Sequence, residues 1–411
     1  MDVKAKYGEV STPNVLVEKM INLFPDHLLK NKTARWIEPG SGKGNISKML
    51  IERLATECGG SQQEVAKRID FVEINPDNEF ILRDKFDFPI NLTITDFNCF
   101  QQSGADLACS YDAVITNPPF NSGGAIKTPT HSGTKKQDGK NAWCSFIHKS
   151  ISLLRDGGFM VAIVPAIWLK PDKNGMYEFL TQFKIHKMNF MTNTETNRMF
   201  SGQAQTPTTY FLLEKIPTDR RMALYCNRSE RYVDYVLRDN YPIPMINIKL
   251  INDKLQDVDK YGCLKIEKTN MPIKAVGFSS VKTDVFKYPN IRTCKLTKSQ
   301  PHDLSMNTSC LMYPGLYGQL EIMWSDKPCK WYGVPKIVLA HKMFGMPFFD
   351  AEGNYGISNR DNYVVWNYEY KELERIMEML SSQSIIAVYD ATRYRMKYLE
   401  KYAFQFISIP K

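Results

Sequence analysis

Between residues 35 and 215 the chain alternates short apolar runs with stretches of helical period. This alternation constrains the fold more than any other feature. Seven runs read as strands: Arg35–Glu38, Ile69–Ile74, Leu92–Phe97, Asp112–Thr116, Gly158–Pro165, Lys184–Met191 and Thr208–Glu214. Between them, Ile46–Thr56 repeats apolar residues at Ile46, Met49, Leu50 and Leu54. Cys144–Leu154 does the same at Phe146, Ile147, Ile151 and Leu154. Strands that alternate with helices build a parallel, doubly wound sheet, so an α/β, Rossmann-like fold of about seven strands is expected. Ligands of such sheets bind beyond the carboxyl ends of the strands.

The residues at those ends carry chemistry. The first run leads into WIEPGSGKGNIS, Trp36 to Ser47, where Gly40, Gly42 and Gly44 lie between a strand and a helix. Glycines there let the backbone turn sharply and approach a ligand. The GxxxxGK[ST] spacing of a nucleotide P-loop is missing. Glu38 precedes the glycines, and a carboxylate there repels phosphate but suits an amine-bearing cation. The second run ends near Glu73, where an acidic residue can grip a ribose diol. The third ends at Asp96-Phe97, which can accept from an exocyclic amine and cover a purine face. Each carboxylate alone could be a turn or cap residue. Together they describe a pocket for a nucleoside without phosphate, and S-adenosylmethionine fits that description.

The fourth run ends in Asn117-Pro118-Pro119-Phe120. An aromatic amine is a poor nucleophile because its lone pair is delocalised into the ring. Two acceptors aimed at its N–H bonds localise that pair toward a methyl donor. Asn117 supplies a side-chain carbonyl, and Pro118 supplies a backbone carbonyl on a rigid φ with no competing N–H. Phe120 can stack on the planar base. The competing reading is a Pro-Pro strand terminator with an Asn cap.

These motifs in this order resemble the γ-class amino-methyltransferases that act on DNA, the group that includes the TaqI adenine-N6 enzyme. The resemblance runs from about residue 7 to 215. It implies that Thr12 and Pro13, in YGEVSTPNVLVEKM, touch the methionine end of the cofactor. It implies that Glu38, Pro39, Gly40 and Gly42 form the cofactor loop, that Glu73 with Ile74 binds the ribose, and that Asp96 and Phe97 bind the adenine. Asn117 to Phe120 is similar to the family's catalytic (N/D/S)PP(Y/F) motif, with Asn117 also beside the cofactor. Ala142 to Leu169 is similar to its motif V and following strand, which puts Phe146 in the adenine pocket. Phe200 stands where the family places a second aromatic, beside Phe120, against a flipped base. Helix-core packing competes for Phe146, and burial under the sheet competes for Phe200. Protein-glutamine methyltransferases carry a similar tetrapeptide but place a recognition domain before the cofactor motif. Here about 35 residues precede Glu38 and nearly 200 follow the sheet, which favours the DNA enzymes. Ribosomal-RNA base methyltransferases stay open on the tetrapeptide alone.

Charge separates the two halves. The net charge is +9. Residues 1–215 hold 25 basic against 23 acidic side chains, whereas residues 216–411 hold 28 against 21. A basic second half suits a polyanionic partner, and a solubilising surface is the bland alternative. Ile216–Pro244 reads as a charged, irregular linker, giving a catalytic domain over 1–220 and a mixed α/β target-recognition domain over 245–411. Trp331–Trp366 alternates apolar and polar residues around glycine turns, so antiparallel strands or hairpins are expected. There Lys336, His341, Lys342, Asn359 and Arg360 are candidates for phosphates or base edges. The polar, glycine-rich stretch 121–141 offers Lys127, Lys135, Lys136 and Lys140 for phosphate, or is a solvated linker. Tyr370–Ser381 and Thr392–Tyr402 read as closing helices, the second carrying Arg393, Arg395 and Lys397.

No apolar run approaches the ~18 residues of a membrane span, and no secretory signal opens the sequence. The nine scattered cysteines form no CxxC, and the six histidines form no HExxH. The expectation is an intracellular enzyme with reduced thiols, no metal and no membrane contact. Its reaction would be methyl transfer from S-adenosylmethionine to adenine N6 of a base flipped out of double-stranded DNA at a short target sequence. The alternatives are a cytosine-N4 or RNA base methyltransferase, and a silent sequence-specific DNA-binding protein. A monomer without a nuclease domain is expected, with a separate cognate restriction endonuclease as a candidate partner.

Overall fold

The computed structural model describes residues 7–101, 110–120, 142–171, 175–227, 229–268, 276–297, 317–341, 347–358, 362–395 and 398–410. The chain divides into two compact units, Met1–Asp239 and Asn240–Lys411.

The first unit is built on one nine-stranded sheet. Its strands are β1 (Trp36–Pro39), β2 (Ile69–Glu73), β3 (Asn91–Ile94), β4 (Tyr111–Thr116), β5 (Leu154–Pro165), β6 (Phe183–Met191), β7 (Thr208–Pro217), β8 (Arg221–Cys226) and β9 (Arg231–Val236). Their spatial order is β3-β2-β1-β4-β5-β7-β6-β8-β9. The first five run parallel, and β7 lies antiparallel between β5 and β6. All seven runs read from the sequence are strands of this sheet, and the α/β class is as expected. Helices connect them: α1 (Asn14–Ile21) precedes β1, α2 (Asn45–Cys58) follows it, α3 (Asp77–Asp84) follows β2, α4 (Ala142–Leu153) precedes β5, and α5 (Asn193–Met199) follows β6.

Strands covered on both faces read as continuous apolar runs, and β1 and β4 do so. Trp36, Ile37, Ala113, Val114 and Ile115 are fully buried. On one side of the sheet Leu50, Ile51 and Leu54 of α2 and Leu16, Val17 and Met20 of α1 share a core with Trp36, Phe71 and Ile115. The chain steps outward from β1 to β2 and β3, then returns to place β4 on the other flank of β1. The connections after β1 and after β4 therefore leave adjacent strands in opposite directions and open a crevice between them.

Two local readings in this unit are corrected. The third strand stops at Ile94, because Asp96 caps a short 3-10 turn, Phe97–Cys99. The stretch read as an irregular linker holds β8 and β9, which bury Met222, Leu224 and Tyr235. Their alternation is masked by the arginines that flank it.

In the second unit the chain forms two four-stranded sheets and three longer helices. One sheet joins β10 (Glu267–Lys268), β17 (Asn362–Val365), β14 (Lys336–Ala340) and β15 (Phe348–Asp350) in that order. The other joins β11 (Phe278–Ser279), β13 (Tyr317–Ser325), β12 (Tyr288–Thr297) and β16 (Gly356–Ile357). The helices are α6 (Ile248–Tyr261), α7 (Tyr370–Leu380) and α8 (Gln383–Ala391). The helix expected over Thr392–Tyr402 is instead α8, one segment earlier, followed by a 3-10 turn, Lys401–Phe406. Its apolar residues Ile385, Val388 and Tyr389 are buried, and Ser382 caps it by accepting from the Ile385 N–H. Arg393 and Arg395 pair with Asp390 and Glu400 just beyond its end. Lys397 lies outside the described residues.

Lys336 does not face solvent. Its side chain is wholly buried, donates to the Trp331 and Val334 carbonyls at 3.0 and 3.1 Å, and forms a close ion pair with Asp350. Asp350 in turn accepts from the Asn354 and Tyr355 N–H groups at 2.8 and 3.0 Å. This corrects the assignment of Lys336 to nucleic acid: its charge closes a turn inside the fold. Burial pulls the Lys336 ammonium down, and Asp350 opposes that pull. Removing one member of such a pair strands the other charge. Asp350→Ala is expected to cost roughly 3–5 kcal/mol, and Lys336→Met with Asp350→Leu distinctly less. Urea unfolding followed by circular dichroism measures both.

Candidate active site

The crevice between β1 and β4 opens into a cavity of about 510 Å3. That size suits a small-molecule or cofactor pocket. Residues 7–12, the glycine loop after β1, the tetrapeptide after β4, and residues 200–206 apart from Ser201 and Gly202 wall it, together with Val72, Glu73 and Ile74 at the end of β2, Thr95, Phe97 and Phe146.

The glycine loop turns sharply off β1. The Gly40 and Ser41 N–H groups both donate to the Val72 carbonyl, at 2.8 and 3.1 Å. Gly44 enters α2 with φ +77, and a Cβ there would meet Leu82 Cδ2 at 2.7 Å. Only glycine fits both the backbone and the space. Gly40 and Gly42 line the cavity on the same loop.

Three carboxylates belong to the wall. Glu38 is buried and accepts from Ser47 Oγ at 2.6 Å. Burial pushes its carboxyl up to about 8, with the nearby Glu73 adding to the rise and Ser47 opposing it. Glu73 accepts from the Gly42 and Asn75 N–H groups, each at 2.7 Å, and burial raises it also. Glu9 accepts from Asn78 Nδ2 at 3.1 Å and raises Glu73 further. A cavity that holds three acids so close together favours a ligand bearing positive charge and hydroxyl groups.

An apolar wall lies beside them. The Phe97 and Phe146 rings are 5.1 Å apart and tilted by 45°. Lys149 Nζ donates to the Asn98 and Phe100 carbonyls at 2.9 and 2.6 Å, which holds the turn carrying Phe97. Ile74 lines the same cavity, and Phe200, though only 4% exposed, reaches it from the end of α5.

Asn117 stands at the carboxyl end of β4. Its Nδ2 donates to Thr12 Oγ1 at 3.0 Å and to the Val10 carbonyl at 3.3 Å. No described residue bonds its Oδ1. Pro118, Pro119 and Phe120 continue the wall, Phe120 half-buried.

The structure thus gathers Thr12, Glu38, Gly40, Gly42, Glu73 and Ile74 around one cavity with Phe97, the Asn117–Phe120 tetrapeptide, Phe146 and Phe200. It does not put Pro13, Pro39 or Asp96 on the wall. Pro13 caps α1 through its carbonyl, and the Pro39 carbonyl accepts from Thr116 Oγ1 at 2.8 Å. Asp96 accepts from the Asn98 N–H and Nδ2. Sequence reasoning passed over Glu9, Asn45 and the 203–206 stretch. The signal for Glu9 lay in the quoted YGEVSTP segment, but its partners Asn75 and Asn78 are more than 60 residues away. Lys135, Lys136, Lys342, Asn359 and Arg360 lie outside the described residues. His341 packs edge-on against Tyr363.

Residues 27–200 match the Eco57I restriction-modification methylase family. Over 179 residues, 40% of this chain, the sequence is 31% identical to a type II methyltransferase of Thermus thermophilus. Over this stretch the chain is therefore similar to methyltransferases of restriction-modification type. The chain spans about a third of the length of that curated relative, 36%. The type IIL restriction-modification enzyme MmeI, solved in complex with DNA, shares the fold with a TM-score of 0.51. That likeness covers 99% of this chain and 69% of the other at 12% identity. Among the described residues, no helix is long and apolar enough to cross a membrane, and no group of His, Cys, Asp and Glu could hold a metal ion.

The Glu38 carboxyl has a testable consequence in the protein without ligand. Its folded value lies above its ordinary one, so the folded state holds a proton that the unfolded state releases. The stability it contributes is present below pH 4.5 and is lost as the pH rises toward 8. The slope is at most about 1.4 kcal/mol per pH unit. Glu38→Gln is expected to flatten the fall in melting temperature over that window, as differential scanning fluorimetry against pH measures. Parallel curves for the two proteins would contradict the assignment.

Proposed function

We propose that this chain transfers a methyl group from S-adenosylmethionine to adenine N6 of a base flipped out of double-stranded DNA. The observation that carries this reading is the orientation of Asn117 beside the acid-lined cavity. The Val10 carbonyl can only accept, so the amide NH2 must face it. The amide oxygen then points to the other side, where an amine can donate to it.

The cofactor fits the residues present. Glu38, Glu73 and Glu9 offer carboxyl acceptors to a sulfonium, an ammonium and a ribose diol, Glu38 giving up its proton on binding a cationic ligand, and Phe97 and Phe146 offer an apolar slot to a purine. When bound, S-adenosylmethionine supplies an electrophilic methyl group on its sulfonium. Gly40 and Gly42 let the ligand approach the backbone, and Glu73 orients the ribose. Asn117 Oδ1 and the Pro118 carbonyl accept the two N–H bonds of the target amine, which drives its lone pair out of ring conjugation. Phe120 stacks on the flipped base, and Phe200 flanks it. No strong base is required, because the amine sheds its proton after the methyl has arrived.

The basic excess of residues 216–411 supports a polyanionic substrate, and the second unit would read the target sequence. The pairing of two acceptors serves any aromatic amine, so cytosine N4 and an RNA base are the readings to test against adenine. A cognate restriction activity belongs to the same proposal, on the strength of the family match.

Long-read sequencing of plasmid DNA from a methylation-deficient bacterial host expressing the chain tests the proposal. N6-methyladenine at one short motif is expected with the wild-type chain. Asn117→Ala is expected to lower turnover by roughly 100-fold or more while DNA binding survives. Wild-type turnover in that variant would overturn the role of Asn117. Unmodified DNA from well-folded protein would overturn the reaction.

A further inference from the structure

We infer that Thr12 is a positioning residue: with the Val10 carbonyl it clamps the Asn117 amide so that its oxygen, not its NH2, faces the target amine. This deepens the proposed reaction and rests on it.

An asparagine amide presents an acceptor on one side and two donors on the other, and rotation by a half-turn exchanges them. With the wrong side forward, donors would meet the donors of an amine. The strand end cannot choose between the two, because Asn117 sits at the last residue before Pro118, where its backbone is extended in either case. The choice is made from 105 residues away. Val10 O lies 3.3 Å and Thr12 Oγ1 3.0 Å from the same Nδ2. A backbone carbonyl has no proton to give, so that face is settled as the donor face. The Thr12 hydroxyl supplies the shorter contact and fixes the second hydrogen.

The clamp is itself held. Thr12 is only 4% exposed, on the wall of the cavity. Its carbonyl accepts from Asn45 Nδ2 at 3.1 Å, and Asn45 is the first residue of α2, directly after the glycine loop. The Pro13 carbonyl accepts from the Leu16 and Val17 N–H groups and fixes the segment to α1. The strap over residues 9–13 therefore ties the amide at the end of β4 to the loop at the end of β1.

Thr12→Val keeps the shape and removes the acceptor, and Thr12→Ser keeps the hydroxyl. For the clamp, Thr12→Val lowers kcat about tenfold, equivalent to one hydrogen bond. The KM for S-adenosylmethionine stays within about twofold, and Thr12→Ser restores most of the rate. In an Asn117→Ala background, Thr12→Val has no further effect, because the group it positions is gone. A second readout needs no turnover. The Asn117 side-chain amide, assigned in 15N spectra by its loss in Asn117→Ala, exchanges its protons slowly in the wild-type and Thr12→Ser proteins and faster in Thr12→Val. Unchanged exchange in Thr12→Val overturns the clamp. So does a raised KM with an unchanged kcat, which would make Thr12 a cofactor contact only. Protected exchange lost in Thr12→Val, in a protein that methylates no nucleic acid, upholds the clamp and overturns the reaction instead.

Discussion

The parallel pairing of β1 with β4 is the constraint on which the site depends. Two strands separated by more than 70 residues run side by side because the chain, after stepping outward to β3, returns to place β4 on the other flank of β1. Their carboxyl ends then point into the same crevice. Glu38 arrives on one and Asn117 on the other. No local sequence signal could bring them together, and no side-chain contact has to hold them there. The sheet hydrogen bonds and the buried Trp36, Ile37, Val114 and Ile115 do so.

That scaffold carries groups that the fold would not choose for stability alone. Glu38 is a buried acid with one short hydrogen bond and another carboxylate nearby. In the absence of a cation it is held neutral toward physiological pH. A ligand of opposite charge relieves this, so the same burial that weakens the folded protein at higher pH strengthens the hold on such a ligand. Lys336 and Asp350 show the contrary use of buried charge. There the two ions meet each other, and the remaining bonds go to backbone groups of two turns, Trp331 and Val334 for Lys336 and Asn354 and Tyr355 for Asp350. The first arrangement leaves an acid exposed to a cavity, whereas the second leaves nothing over.

Lys336 also shows where reading a sequence stops. A lysine opening a strand among glycine turns has the same local signature whether its ammonium meets phosphate or a buried aspartate 14 residues on. The β8–β9 hairpin is missed for a related reason: arginines at its ends hide its few buried residues. Thr392–Tyr402 has helical composition, yet the capped apolar helix lies just before it, over Gln383–Ala391. By contrast, the seven strands before residue 215 were legible. The central parallel strands β1 and β4 are covered on both faces and so continuously apolar, and glycine, proline and acidic residues punctuate their ends.

The sequence by itself determined the kinds of chemistry available. Its alternating periods set an α/β sheet, its glycines a sharp turn after the first strand, and its strand ends three acids and an acceptor pair in Asn117-Pro118. Only the tertiary structure decided which of these meet. It turned Asp96 into a turn cap and kept Phe97 on the wall. It recruited Glu9 through Asn75 and Asn78, and it oriented the Asn117 amide through Val10 and Thr12. The reason is geometric: propensity and periodicity act over a few residues, whereas the direction of one amide depends on an acceptor that the fold carries across the chain.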